Sequence, residues 1–294
     1  MNDLSQRKIL VTGGAGFVGS NLVRTLVTNY DADVTVLDDL FTGDLKNLLG
    51  IKHNFVHGSI ENKNLVNDCV KSQDIVFHLA SRNIIISNLN PRDDLNVNVG
   101  GSFNVFEACL NHGVKRVVYA STSSIYGDPH KLPVIEDDTK SFLNFYSASK
   151  FSAEVYASTF FEVFNLPIAI VRYSNVYGPA QSPDNPYCGV IGKFIEAALK
   201  GAPVRVHGDG KQTRDYTYVD DAVAATIAAA VYPEAIGQDY NIGTGRETSV
   251  NELAQTIIAL TNSSSKMQNV SNRDIDNISR RCIDITKSVA HLQY

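Results

Sequence analysis

A doubly wound α/β fold, with parallel strands covered by helices on both faces, is predicted by three features of this sequence. Short β-branched runs alternate with helical patterns: KILVTG, GSNLVRTLVTN, DVTVLDD, DIVFHLAS, GGSFNVFEACLNHG, KRVVYAST, the helix running on from Tyr146, and PIAIVRYS. The strands are continuous apolar runs without in–out alternation, the pattern of a sheet buried on both faces. A glycine-rich turn joins the first strand to the first helix, where such folds bring backbone amides to a ligand.

The first strand, KILVT, runs into TGGAGFVGS, Thr12 to Ser20. Gly13, Gly16 and Gly19 carry the spacing G-x-x-G-x-x-G, close to the dinucleotide fingerprint. A tight turn, backbone close enough to donate N–H groups to a pyrophosphate, and close helix–strand packing each favour a residue without a side chain. About twenty residues further on, VTVLDD ends in Asp38 and Asp39. A carboxylate there accepts hydrogen bonds from the adenosine ribose hydroxyls and repels a 2′-phosphate, so NAD is expected in preference to NADP. A solvated acidic pair closing a strand is the plain alternative, and the strand–turn–helix–strand frame argues against it.

DIVFHLAS then supplies a buried strand, GGSFNVFEACLNHG a helix, and KRVVYAST a second buried strand that ends in Thr122, followed by Ser123 and Ser124. The C-terminal edge of a parallel sheet presents its ligand crevice there, and a hydroxyl in it can bond a substrate oxygen. Without that strand the cluster would read as a polar loop or a helix cap. In NFYSASK, Tyr146 and Lys150 stand four apart, on one helical face. An ammonium near a phenol favours the phenolate and lowers a pKa that is ordinarily about 10, so Tyr146 is expected to exchange protons near neutral pH. The spacing alone is one turn of any helix; the hydroxyl-bearing strand end makes it a candidate catalytic pair.

Past Tyr173 the alternation gives way. NVYGPAQSPDNPYCG reads as a long loop. Helices follow at Val190–Lys200, Asp220–Ala230 and Val250–Thr261, with short strands near Val204–His207 and Tyr240–Ile242 and a polar linker at Asn262–Lys266. The division expected is residues 1–174 as a dinucleotide-binding domain, with 216–242 returning to it. Residues 175–215 and 243–294 are expected to form a smaller, mixed α/β substrate lobe.

At 294 residues, 44% hydrophobic, with 20 glycines and 9 prolines, the chain has the composition of a globular protein with a large core. A formal charge of −5 disfavours a nucleic-acid partner. Cys69, Cys109, Cys188 and Cys282 are far apart, so free thiols are expected, with neither a disulfide framework nor a metal site. No apolar run approaches the length of a membrane span, and polar MNDLSQRK leads directly into the first strand; a cytoplasmic protein is expected.

Taken in order, TGGAGFVG, Asp38 followed by FTG, VFHLAS, NVGGSFNVFEA, ASTSSIYGD, Y-S-A-S-K, VRYSNVYGP, GDGKQTRDYTYVDD and YNIGTG resemble one family over nearly the whole chain. It is the extended short-chain dehydrogenase/reductase superfamily, in its NAD-dependent nucleotide-sugar epimerase/dehydratase branch, with motifs nearest to UDP-hexose 4-epimerases. The resemblance implies a Rossmann-type domain that binds NAD through Gly13, Gly16, Phe17, Val18, Gly19, Asp38, Asp39, Ser59, Ile60, Leu79, Ala80, Ser81, Asn98, Tyr146, Lys150 and Tyr173. It makes Tyr146 the acid/base, Thr122 the hydroxyl that bonds the reacting sugar oxygen, and Lys150 the residue that holds the nicotinamide ribose and depresses the tyrosine pKa. It places a UDP-sugar on Thr122, Asn175, Val190, Arg214 and Arg273, and two arginines suit a diphosphate. It leaves open whether Arg281 or Cys282 meets the substituent at carbon 2. A homodimer through helices at Phe103–Asn111 and Phe151–Phe164 is also implied.

Within that branch, dehydratases carry Asp-Glu after the catalytic threonine, and decarboxylases commonly a Glu, because those reactions need a further acid or base. Here Ser123 and Ser124 follow Thr122. The reaction implied is epimerisation at carbon 4: Tyr146 takes the hydroxyl proton, hydride passes to NAD, and hydride returns to the other face of the 4-keto sugar. A dehydratase or another NAD-dependent oxidoreductase is the alternative chemistry, and a non-catalytic NAD and nucleotide-sugar binder the alternative of another class.

Overall fold

The computed structural model describes residues 4–181, 189–272 and 278–294. Along the chain run β1 (Lys8–Thr12), α1 (Phe17–Tyr30), β2 (Asp33–Asp38), β3 (Asn54–His57), α2 (Lys63–Val70) and β4 (Ile75–His78). Then come α3 (Ile84–Leu89), α4 (Pro91–Asp94), a π-helical turn at Leu95–Gly101, α5 (Ser102–Asn111), β5 (Arg116–Thr122), α6 (Phe145–Phe164) and β6 (Ile168–Tyr173). The remaining elements are β7 (Asn175–Tyr177), α7 (Val190–Leu199), β8 (Val204–His207), β9 (Thr213–Arg214), β10 (Tyr216–Tyr218), α8 (Val219–Val231), β11 (Asp239–Ile242), β12 (Thr248–Ser249), α9 (Val250–Leu260), β13 (Met267–Val270) and α10 (Thr286–Leu292).

Seven strands make one sheet in the order β11-β6-β5-β4-β1-β2-β3, and every pairing in it is parallel. This is the doubly wound Rossmann-type sheet expected from the continuous apolar runs. Alternate residues of each strand serve opposite faces: Ile9, Val11, Val34, Val36, Val118 and Ala120 pack with α1 and α8. Leu10, Leu37, Val76, Val117 and Tyr119 pack with α2, α5 and α6. Burial of each such side chain contributes about 1.5–3 kcal/mol, which fixes the helices on the sheet. The strand order reverses between β1 and β4, and a doubly wound sheet opens its ligand crevice at that reversal, beyond the C-terminal strand ends.

A second, smaller core joins α7, β8 and α9 through Ile191, Phe194, Ala198, Val204, Val206, Val250, Ala254 and Ile257. α9 starts on a full capping box, Ser249 with Glu252, which satisfies two otherwise unpaired end groups. The expected loop after Tyr173 is partly regular: β7 pairs in parallel with β10, Asn175 opposite Tyr216 and Tyr177 opposite Tyr218. The sequence hides this because three-residue strands have no readable period. The stretch 182–188, with Cys188, lies outside the described residues; Cys69, Cys109 and Cys282 are free thiols. Among the described residues no helix is long and apolar enough to cross a membrane.

Candidate active site

A cavity of about 340 Å³ occupies the crevice at the strand-order reversal. Gly13, Gly16, Phe17, Val18 and Gly19 line it from the first turn, Asp38 and Asp39 from the end of β2, Ser59 and Ile60 from beyond β3, and Leu79, Ala80 and Ser81 from beyond β4. Tyr146 closes one side. These residues, scattered over more than a hundred positions, meet because each follows a parallel strand. Of the residues expected at the cofactor, Asn98, Lys150 and Tyr173 are not among those lining it.

The turn geometry explains the glycines. Gly13 has φ +72°, and a Cβ there would sit 2.6 Å from the Ala80 nitrogen. A Cβ on Gly19 would fall 2.2 Å from the Gly13 carbonyl oxygen. α1 begins at Gly16 with no side-chain cap, so its first N–H groups point out of the helix toward the cavity, as an anion site requires. Gly19→Ala is therefore expected to weaken NAD binding at least about tenfold by prising α1 from the turn; titration of the nucleotide-free protein with NADH fluorescence reads this directly.

The two acids differ. Asp38 is buried, its Oδ2 accepting from the Ala15 N–H at 2.9 Å and its Oδ1 from the Leu40 N–H at 2.8 Å. Burial pushes its carboxyl above the usual range, with these amides acting in the opposite direction. Asp39 instead pairs with Arg82, Oδ2 to guanidinium at 2.9 Å, and Arg82 pairs with Asp93 at 2.8 Å. Arg82 also lies 4.0 Å over the Phe41 ring and lines the cavity. Sequence reading missed Arg82; a lone cation directly after the strand-end LAS was the available signal.

At the other end, Thr122 closes β5 and its Oγ1 accepts from the Ser124 N–H at 3.1 Å. It lies near enough to the Tyr146 hydroxyl to favour the phenolate. Asn144 caps α6, its Oδ1 accepting from the Ser147 N–H at 2.8 Å, so the helix starts one residue before Tyr146. Lys150, one turn on, is 2% exposed and its Nζ sits 4.3 Å over the Tyr119 ring. Burial pushes Tyr146 up to about 12, against the lowering effect of the Thr122 hydroxyl. Burial also pulls Lys150 down to about 7, against the carboxylates of Glu154 and Asp94. The depressed tyrosine pKa expected from the sequence is thus not what the protein by itself gives: desolvation, with the Asp94 charge, outweighs the Thr122 hydroxyl.

Asn98 is fully buried inside the π-helical turn. Its Oδ1 accepts from the Arg82 N–H at 2.7 Å, while its Nδ2 donates to the Arg82 carbonyl, Asp94 and Ser149. It holds the cofactor-side loop in place. Tyr173 bonds Thr226 through its hydroxyl at 2.6 Å. His78, also missed, sits between Thr12 Oγ1 at 2.7 Å and Ser102 Oγ at 2.9 Å; burial holds it well below the ordinary histidine pKa, so it ties β1, β4 and α5 together as a neutral ring.

A second cavity of about 590 Å³ opens beside β8 and α7. Asn175, Val190 and Arg214, the described residues among those expected at the substrate besides Thr122, line it with Arg205, His207, Lys211, Tyr216 and Arg280. Arg214 donates to the carbonyls of Thr213 and Ile278 at 2.8 and 2.9 Å. Arg280 is clamped by Glu247 at 3.0 and 2.5 Å. Four Lys and Arg side chains against Asp209 give this cavity a positive field suited to a diphosphate. Arg273 lies outside the described residues. Arg281 and Cys282 are both buried, and Arg280 is the member of that run on the cavity.

A crevice suited to a dinucleotide, a Tyr–Lys helix beside a strand-end threonine, and a separate cationic cavity are the features of a site for a redox cofactor and an anionic ligand. The model of the NAD dependent epimerase/dehydratase family matches residues 9–243, and the chain belongs to that family, with NAD as its cofactor. It is 38% identical over 295 residues to the UDP-N-acetyl-alpha-D-glucosaminuronate decarboxylase of Bacillus cytotoxicus, covering 96% of this chain and 90% of the relative. It is 37% identical over 257 residues to the UDP-glucose 4-epimerase of Mycolicibacterium smegmatis, covering 85% and 81%. The crystal structure of UDP-glucose 4-epimerase with UDP-glucose from Thermotoga maritima superimposes with a TM-score of 0.92 at 34% identity, over 98% of this chain and 93% of that one.

Proposed function

We propose that this protein is an NAD-dependent 4-epimerase of a UDP-hexose. The observation that carries the reading is Tyr146 on the wall of the NAD crevice with Thr122, the last residue of β5, near its hydroxyl, and Ser123 and Ser124 where an acid would stand for elimination or decarboxylation. Thr122 orients the sugar hydroxyl and Tyr146 accepts its proton. Lys150 anchors the nicotinamide ribose from behind. NAD supplies the hydride acceptor and a positively charged ring that favours the phenolate. Asn175, Val190, Arg214 and Arg273 hold the nucleotide diphosphate, and the M. smegmatis and T. maritima relatives support a UDP-sugar.

The test is NMR of the purified protein with UDP-glucose, UDP-N-acetylglucosamine and UDP-glucuronate in turn, with and without added NAD. The galacto-configured sugar is expected from one of them, with no lasting NADH absorbance. A 4-keto-6-deoxy product would establish a dehydratase, a pentose with released carbon dioxide the chemistry of the B. cytotoxicus relative, and stoichiometric NADH a net oxidoreductase. No product from any of them favours a non-catalytic binder. We further propose a cytoplasmic homodimer through α5 and α6, where Phe103, Val155, Tyr156, Val163 and Phe164 are exposed and Phe103 packs edge-on against Tyr156. Light scattering at twice the 32.1 kDa chain mass is the expected result.

A further inference from the structure

Asp94 ends α4 and is 2% exposed, a buried carboxylate that plays no part in the chemistry described above. One of its oxygens, Oδ1, accepts three hydrogen bonds, from Ser87 Oγ at 2.5 Å, Asn98 Nδ2 at 2.7 Å and Ser149 Oγ at 2.9 Å. These donors come from three places: α3, the π-helical turn and α6. Ser149 is the residue before Lys150, and its hydroxyl also reaches the Tyr146 carbonyl at 3.1 Å. Asn98 in turn grips the Arg82 backbone through both its amide oxygen and its amide nitrogen, and Arg82 lines the NAD crevice and pairs with Asp39. A single buried oxygen thus joins the turn carrying Tyr146 and Lys150 to the wall of the cofactor site.

We propose that Asp94 is a positioning residue for the reaction, holding the Tyr146–Lys150 turn in register with the cofactor wall, and that turnover depends on its negative charge. The inference rests on the reading of Tyr146 and Lys150 given under Proposed function. The charge matters because Lys150 lies among few others. Glu154 on its own helix and Asp94 from α4 favour its protonated form, the ring of Tyr119 faces it from β5, and its charge helps to keep His78 of β4 unprotonated. Tyr146 meets the Thr122 hydroxyl and the Asp94 charge, the latter opposing its ionisation. Three donors converging on one anion are also worth more than three neutral bonds, and a displacement of about 1 Å at a reacting group costs up to about a hundredfold in rate.

The experiment compares Asp94→Asn, Ser149→Ala, their double variant and Tyr146→Phe in the full-length, NAD-loaded protein. The amide keeps the shape of the carboxylate but removes the charge. Asp94→Asn is expected to lower kcat by ~10- to 100-fold with KM for the UDP-sugar almost unchanged, and to move both limbs of the kcat–pH profile toward lower pH. Both limbs move that way because Lys150 loses support for its proton and Tyr146 loses a charge that opposes ionisation. The double variant is expected to be no slower than Asp94→Asn alone, since both cut the same contact. A kcat within twofold of the parent overturns the proposal, as does a uniform loss at every pH with additive single effects, the signature of a structural prop. Should Asp94→Asn not fold, Ser149→Ala decides: an unchanged kcat overturns the proposal, and a reduced kcat at unchanged KM supports it. Tyr146→Phe separates the two readings, because turnover surviving in that variant sinks the catalytic assignment itself whatever Asp94 does.

Discussion

On the proposed 4-epimerase reading, Tyr146→Phe should leave a folded, NAD-loaded protein whose epimerisation of a UDP-sugar is about a thousandfold slower or worse. The substitution removes one hydroxyl and keeps the ring, so α6 and its Asn144 cap stay in place. What disappears is the ionisable partner of Thr122, and with it the route by which the 4-hydroxyl proton leaves as hydride departs. Thr122, with an alcohol of far higher pKa, cannot take that proton near neutral pH. NMR of the product sugar, with the bound nucleotide quantified on the same sample, checks both halves of the expectation. Retention of more than a tenth of the parent rate would remove Tyr146 from the mechanism.

Arg172→Met should be the most damaging single change for stability. The Arg172 guanidinium is almost wholly buried, paired with Glu154 of α6 at 2.8 Å and with Asp239 of β11. It also donates to the Tyr126 hydroxyl at 2.9 Å and to the Glu136 carbonyl at 3.1 Å. Methionine fills part of the volume but deprives Glu154, itself 3% exposed at its side chain, of its paired guanidinium, leaving only the field of Lys150. Breaking a buried pair by removing one partner costs about 3–5 kcal/mol, and Lys287 is paired with Asp239 at 3.0 Å. Urea denaturation should show the unfolding free energy lowered by that amount, the midpoint moving down with little change in slope. Because Glu154 lies one turn beyond Lys150 on α6, the same variant should also lose activity before it unfolds. A stability within 1 kcal/mol of the parent would show that Glu154 finds water or takes up a proton at little cost.

Much of the cofactor half was legible because its signals are local. The glycine spacing, the acidic end of VTVLDD and the hydroxyls after a buried strand are short motifs whose meaning comes from standing at strand ends, and strand ends of a parallel sheet converge on one edge. The residues missed were those whose partners lie far off in sequence. Arg82 reads as a solvated cation until Asp39 and Asp93 are seen on either side of it. Asp94 reads as one of four polar residues in PRDD and N until Ser87 and Ser149 converge on it. Arg280 gives no local sign that it, and not Arg281, faces the cationic cavity, because a chain without regular structure carries no period to set side-chain direction.

The amino-acid sequence by itself determined the alternation of buried strands and helices, the glycine turn, and the placing of Tyr146 and Lys150 on one helical face, since each depends on contacts within a few residues. Only the tertiary structure decided the ionisation of that pair. Burial raises the tyrosine and lowers the lysine, and desolvation is a property of the whole surrounding fold that no local spacing encodes. The tertiary structure likewise decided that Asn98 is a buried clasp and that Asp39 is matched by Arg82. Electrostatic and hydrogen-bond partners are set by what the sheet brings within a few ångströms, and that distance is independent of separation along the chain.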